Sequence, residues 1–73
     1  INFGVPYETQ ATISVYNISG RLVWNYSADF NEGEHVIDWN GIDGRGQDLK
    51  SGIYFVRIAA AGWSGTEKVV LVR

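Results

Sequence analysis

The chain has 73 residues, no cysteine and a single histidine. That bounds it to one domain near the lower size limit for an apolar core and excludes disulfide staples and His/Cys zinc clusters. Six Lys and Arg against eight Asp and Glu give a formal charge of −2, which excludes the basic footprint of a nucleic-acid binder.

Hydrophobic residues make up 45% of the chain, including three Trp, three Phe and four Tyr, so the material for a packed core exists and disorder is disfavoured. No run of 18 apolar residues exists to span a membrane. No signal peptide is visible, and the chain starts at Ile1 without Met. We expect a single module, residues 1–73, processed or excised from a larger protein.

In chain order, "INFGV" places Ile1, Phe3 and Val5 on one face at period two. Pro6 ends it, because proline cannot donate a ladder bond. "ATISVYNI" alternates Ala11, Ile13 and Val15 against Thr12, Ser14 and Tyr16, and its β-branched content favours strand. "NISG" turns the chain, with Gly20 in an open turn conformation. "RLVWNYSADF" sets Leu22, Trp24 and Tyr26 on one face, and "NEG" turns again. "EHVIDW" places His35, Ile37 and Trp39 together.

A glycine-rich loop follows, with "QDL" as a possible seventh short strand. "GIYFVRIAA" is the strongest strand. Tyr54, Val56 and Ile58 share one of its faces; Ile53, Phe55 and Arg57 share the other. Apolar residues on both faces imply a central strand, or one with its outer face covered by a partner domain. "AGWSG" is read as a turn and "TEKVVLVR" as the last strand. Six or seven strands with regular turns and no helical period predict an all-β fold, a small antiparallel sandwich with Greek-key connections. The expected core is Phe3, Ile13, Val15, Leu22, Trp24, Ile37, Trp39, Tyr54, Val56, Ile58, Val70 and Val72. The face of the last strand is the least constrained part of that set.

The order of "GRLVW", "NEGEHVIDWNG", "DGRGQDLKSGIYFVRI" and "KVVLVR" resembles a C-terminal immunoglobulin-like module related to the Ig-like domain of the flagellar hook-capping protein. The same module serves as the C-terminal sorting domain of type IX secretion substrates. Ile1, Phe3, Val5 and Pro6 match the family's opening strand, with Val5 in a Leu place. Tyr16, Gly20 and Arg21 match its first turn, and Gly33, His35, Trp39 and Gly41 the next element, where Asn40 replaces the usual Asp. Asp43, Gly46, Ser51, Gly52 and Tyr54 follow, and Lys68, Leu71 and Arg73 match the finish. The Asn-Pro-rich segment that often leads into this module does not occur here. The resemblance implies a non-catalytic domain that forms the C-terminal part of a larger secreted or cell-surface bacterial protein. Outer-membrane export machinery or an adjacent domain would be its partner.

Individual residues carry two readings each. Asp38, Asn40, Asp43 and Asp48 offer oxygen ligands that suit calcium, but the spacing fails the helix-loop-helix pattern. Structural turns, with Asp and Asn side chains capping backbone amides, are preferred, so no cofactor is expected. A phosphate cradle lacks both Gly-Lys-Ser/Thr and a following helix. His35 has no partner set for nucleophilic catalysis and is read as structural, hydrogen-bonded across strands. Glu32 and Glu34 flank Gly33 with no enclosing apolar cleft, which argues against glycosidase chemistry. Asn17 and Asn25 fit the glycosylation acceptor pattern, which is empty in bacteria, and Asn17 is better read as a turn residue. Interaction candidates are Trp63, Tyr7, Lys68 and Arg73. Trp63 with Tyr7 or Tyr26 could stack on a glycan, but a contact with an adjacent domain explains the same aromatics and is preferred.

Overall fold

The computed structural model describes residues 1–72. It contains six strands: β1 (Asn2–Val5), β2 (Thr9–Tyr16), β3 (Leu22–Phe30), β4 (Gly33–Val36), β5 (Gly52–Ala60) and β6 (Trp63–Leu71). They form two antiparallel sheets, a two-stranded sheet β1–β4 and a four-stranded sheet in the order β3–β2–β5–β6. "QDL" does not become a seventh strand. It contributes a single bridge, Ile42 to Asp48.

The period-two pattern of β2 and β5 sets the core. Ile13 pairs with Ile58 and Val15 with Val56, and all four are buried. Directly opposed residues point to the same side of a sheet, so this cross-strand block forms one apolar face. β1 lays Phe3 and Val5 against it, joined by Ala11, Phe30 and Tyr54. Phe3 meets Phe30 edge-on, with ring centroids 5.1 Å apart. Beyond β4 the chain stays tied to β1. The Ile37 amide donates to the Ile1 carbonyl at 2.8 Å, and the Ile1 ammonium donates to the Ile37 carbonyl at the same distance. Ile37 and Trp39 are half-buried while Val36 and Asp38 face outward, as the alternation predicts.

Three expected core positions are not in the core. Leu22 is 46% exposed. Val15 pairs with Trp24, but Tyr16 pairs with Leu22, so β3 carries an extra residue, Val23, opposite that step. Such a bulge shifts the phase of the strand by one. Trp24 therefore packs toward the core while Leu22 turns to the opposite face. Val70 and Val72 are also outward, at 59% and 83% exposure. Tyr54 pairs with Val69 and Gly52 with Leu71, so the buried side of β5 selects Val69 and Leu71 as the inward residues of β6. Both pack against the core.

The glycine-rich segment between β4 and β5 is a loop closed on itself. Asp43 donates its amide to the Gln47 carbonyl at 2.8 Å, Gly46 donates to Asp43 at 3.0 Å, and Leu49 donates to Gly41 at 2.9 Å. Gly41 and Gly46 take positive φ values of 71° and 80°, a region closed to most side chains. Two aromatic side chains pin the loop's ends. The Trp39 indole donates to the Ile42 carbonyl at 2.9 Å, and the Tyr54 hydroxyl donates to the Lys50 carbonyl at 2.8 Å. The two rings meet edge-on, 5.7 Å apart. The polar run thus sits between Trp39 and Tyr54 because these rings give it a fixed base.

Candidate functional site

The last strand, β6, lies at the edge of the four-stranded sheet and, among the described residues, pairs only with β5. Its ladder is regular from Gly52–Leu71 to Ala60–Trp63. Trp63, Val69 and Leu71 anchor one side of the strand on the core. Lys68 is exposed and lies opposite Phe55. The strand therefore offers an unpaired backbone edge of nine residues, held in place by its own inward side chains. Arg73, the other terminal cation, lies outside the described residues.

The other sheet edge is different. β3 is interrupted by the bulge at Val23, and the Gly44 amide donates to the Val23 carbonyl at 2.9 Å. A bulge and a covering loop both blunt an edge against pairing, so β6 is the more open of the two.

Trp63 is the first residue of β6 rather than part of the turn, which is Ala61–Gly62. It is half-buried against the core. With Pro6, Glu32 and Glu34 it lines an open cleft at the end of β1. Tyr7 is exposed, and its hydroxyl donates to the Ala61 carbonyl, so it clamps the β5–β6 turn from outside. Tyr7 and Trp63 thus occupy the same corner of the molecule, while Lys68 lies further along β6.

The four oxygen-bearing residues of the loop do different things. Asp43 accepts from the Arg45 amide at 2.8 Å and the Gln47 amide at 2.9 Å. These bonds, Gln47 first and Arg45 next, hold its carboxyl below the ordinary carboxylate range, opposed by desolvation and helped least by the Arg45 charge. Asp38 and Asn40 are exposed, and Asp48 takes part in the bridge to Ile42. Among the described residues, no three His, Cys, Asp or Glu side chains come together as a metal-binding group.

Asn17 plays the turn role expected of it, accepting from the Ser19 and Arg21 amides at 3.0 and 2.9 Å. His35 packs between Phe3 and Phe30, with ring centroids at 5.7 and 4.9 Å. Its Nε2 donates to the Asn31 carbonyl at 2.6 Å, so its hydrogen bond reaches the preceding turn rather than a neighbouring strand. The carbonyl can only accept, which places a proton on Nε2.

Comparison with curated proteins and with solved structures gave no match. The family model described as the secretion system C-terminal sorting domain matches residues 1–72, which is essentially the whole fold. The chain belongs to this family, the sorting domains of type IX secretion, and is a non-catalytic domain of a secreted or cell-surface bacterial protein.

Proposed function

We propose that the domain sits at the C-terminal end of a larger secreted protein and that outer-membrane export machinery reads it mainly through β6. The observation that carries this reading is the open, regular edge of β6, anchored by Trp63, Val69 and Leu71. An export receptor needs a folded address independent of the cargo's chemistry. An edge strand supplies backbone hydrogen bonds for affinity, and its alternate side chains supply specificity. Lys68 would add charge beside the strand. The pairing of β2 with β5 across the intervening β3 and β4 supports an immunoglobulin-like, Greek-key description of the sandwich.

The test is a fluorescent reporter carrying the domain at its C-terminus in a host with type IX export machinery. The intact fusion is expected outside the cell, and one lacking "KVVLVR" is expected to stay in the periplasm. Retention of the intact fusion would remove sorting as its function. Export of a folded Lys68→Ala, Arg73→Ala variant at the original level would leave sorting in place and discard the role of charge.

A further inference from the structure

The face of the four-stranded sheet that points away from the core is not uniformly polar. Leu22, Tyr16, Phe55 and Lys68 stand directly opposite one another across all four strands. Ile53 and Val70 form the next pair toward the same end. Leu22, Ile53, Phe55 and Val70 are all exposed. The bulge in β3 brings Leu22 into this row instead of the core. Scattered exposed apolar residues need no explanation, but a contiguous set on one sheet face marks an interaction surface.

Cations outnumber carboxylates on this face. Arg57, opposite Ser14 and Thr66, and Lys68 are in phase with the apolar row. Among the described residues the paired carboxylate in that phase is Asp29, opposite Gln10 at the far end of β3. A second copy docking face to face would bring Arg57 and Lys68 again, with only Asp29 at the far end of each copy to pair with them. A lipid surface is also a poor match, because basic clusters that bind anionic membranes use about four to eight cations.

We propose that this face docks on a second protein whose contact surface is aliphatic and carries carboxylates that pair with Arg57 and Lys68. Phe55 would be the central anchor, flanked by Ile53 and Tyr16 with Leu22 beyond Tyr16, and with the two cations at the margin of the buried area. The proposal rests on the sorting reading only for where that protein is met, during export.

The test uses the reporter fusion in cells with the export machinery, treated with a water-soluble carbodiimide. This reagent joins an amine directly to a neighbouring carboxylate. Peptide mass spectrometry is expected to find the Lys68 amine joined to an Asp or Glu of a different protein. The yield should fall about tenfold or more in an Ile53→Thr, Phe55→Thr variant, whose folding is checked by circular dichroism; tenfold is the loss of about 1.4 kcal/mol of binding. Arg57→Glu, which leaves the core face and the Lys68 amine intact, should lower it as well. Unchanged yield in folded variants, or no join to another protein, would overturn the proposal. Joins between isotopically distinct copies of the domain would replace it with self-association. Co-sedimentation of the purified domain with anionic phosphatidylglycerol vesicles, lost in the same variants, would replace it with a membrane surface. A fusion that is retained yet shows the Phe55-dependent join would sink sorting and keep the docking face. An exported fusion without the join would do the reverse.

Discussion

The Gly44 amide donates to the carbonyl of Val23, 2.9 Å away, and Val23 is the residue that bulges from β3. Val23 has no register partner on β2, and the loop supplies a donor for its carbonyl. This contact ties the glycine-rich loop to the edge strand. Gly44→Pro removes the donor. It is expected to cost about 1–2 kcal/mol, which for a domain of this size lowers Tm by about 4–8 °C per kcal/mol. Gly44→Ala keeps the amide, and its Cβ would stand 3.9 Å from the Val23 oxygen, so its melting curve should stay within about 0.5 kcal/mol of the wild type. Equal melting of the proline and alanine variants would show that the contact is unimportant.

The phase of β6 gives a second pair of variants. Val69 packs on the core and Val70 is exposed. Val69→Ala should therefore lower stability by about 1–2 kcal/mol, from lost burial and imperfect collapse. Val70→Ala should change it by no more than about 0.5 kcal/mol. Denaturant midpoints at unchanged slope measure both. The reverse order would mean that the strand is rotated by one residue.

These two cases show where the sequence is legible. β2 and β5 alternate cleanly, so Ile13, Val15, Val56 and Ile58 follow from period two alone, and Trp39 follows from the phase of "EHVIDW". β6 carries apolar residues in both phases, Val69 and Leu71 against Val70 and Val72. Only its pairing with β5 decides between them. The bulge at Val23 has no glycine to announce it, so Leu22 reads as core by an alternation that the backbone breaks. Trp63 follows Ala-Gly and reads as turn, yet the turn is only those two residues. The apolar outer face of β5 was visible in Ile53 and Phe55. Its joining to Leu22 and Tyr16 needed the register of three strands.

The Asp43 carboxyl yields a prediction about pH. Its pKa is lowered from the ordinary 3.8 in the folded state by two backbone amides. A depressed folded pKa contributes stability above the unfolded value, and that stability is lost as pH falls through the folded pKa. Asp43→Asn should be less stable than the wild type at pH 7, and the gap should close below about pH 4. Urea titrations at several pH values measure it. A gap that stays constant from neutral pH into acid would show that the charge is irrelevant to the loop.

Calcium tests the same loop from another side. The Asp43 carboxylate already accepts two amides, and the surrounding acids do not converge. Millimolar calcium should leave Tm within about 1 °C, because only a ligand with a site on the native state raises stability by mass action. A rise of about 5 °C or more that a chelator reverses would instead establish a metal site.

Trp63 separates a core anchor from a glycan platform. The indole is half-buried and packs on the core, and it begins the strand that we propose is read during export. Truncation should therefore act through stability. Trp63→Ala is expected to cost about 2 kcal/mol, below the range for a fully buried aromatic because part of the ring already meets solvent. Trp63→Phe should recover most of that loss. If β6 is seated by this ring, Trp63→Ala should also speed hydrogen exchange of the strand's amides more than those of β2, since local opening follows the weakest anchor. A sugar-stacking role predicts the opposite pattern: retention of the wild type on polysaccharide affinity gels, abolished in Trp63→Ala, with Tm and exchange unchanged. That outcome would move Trp63 from the foundation of the terminal strand to a binding surface.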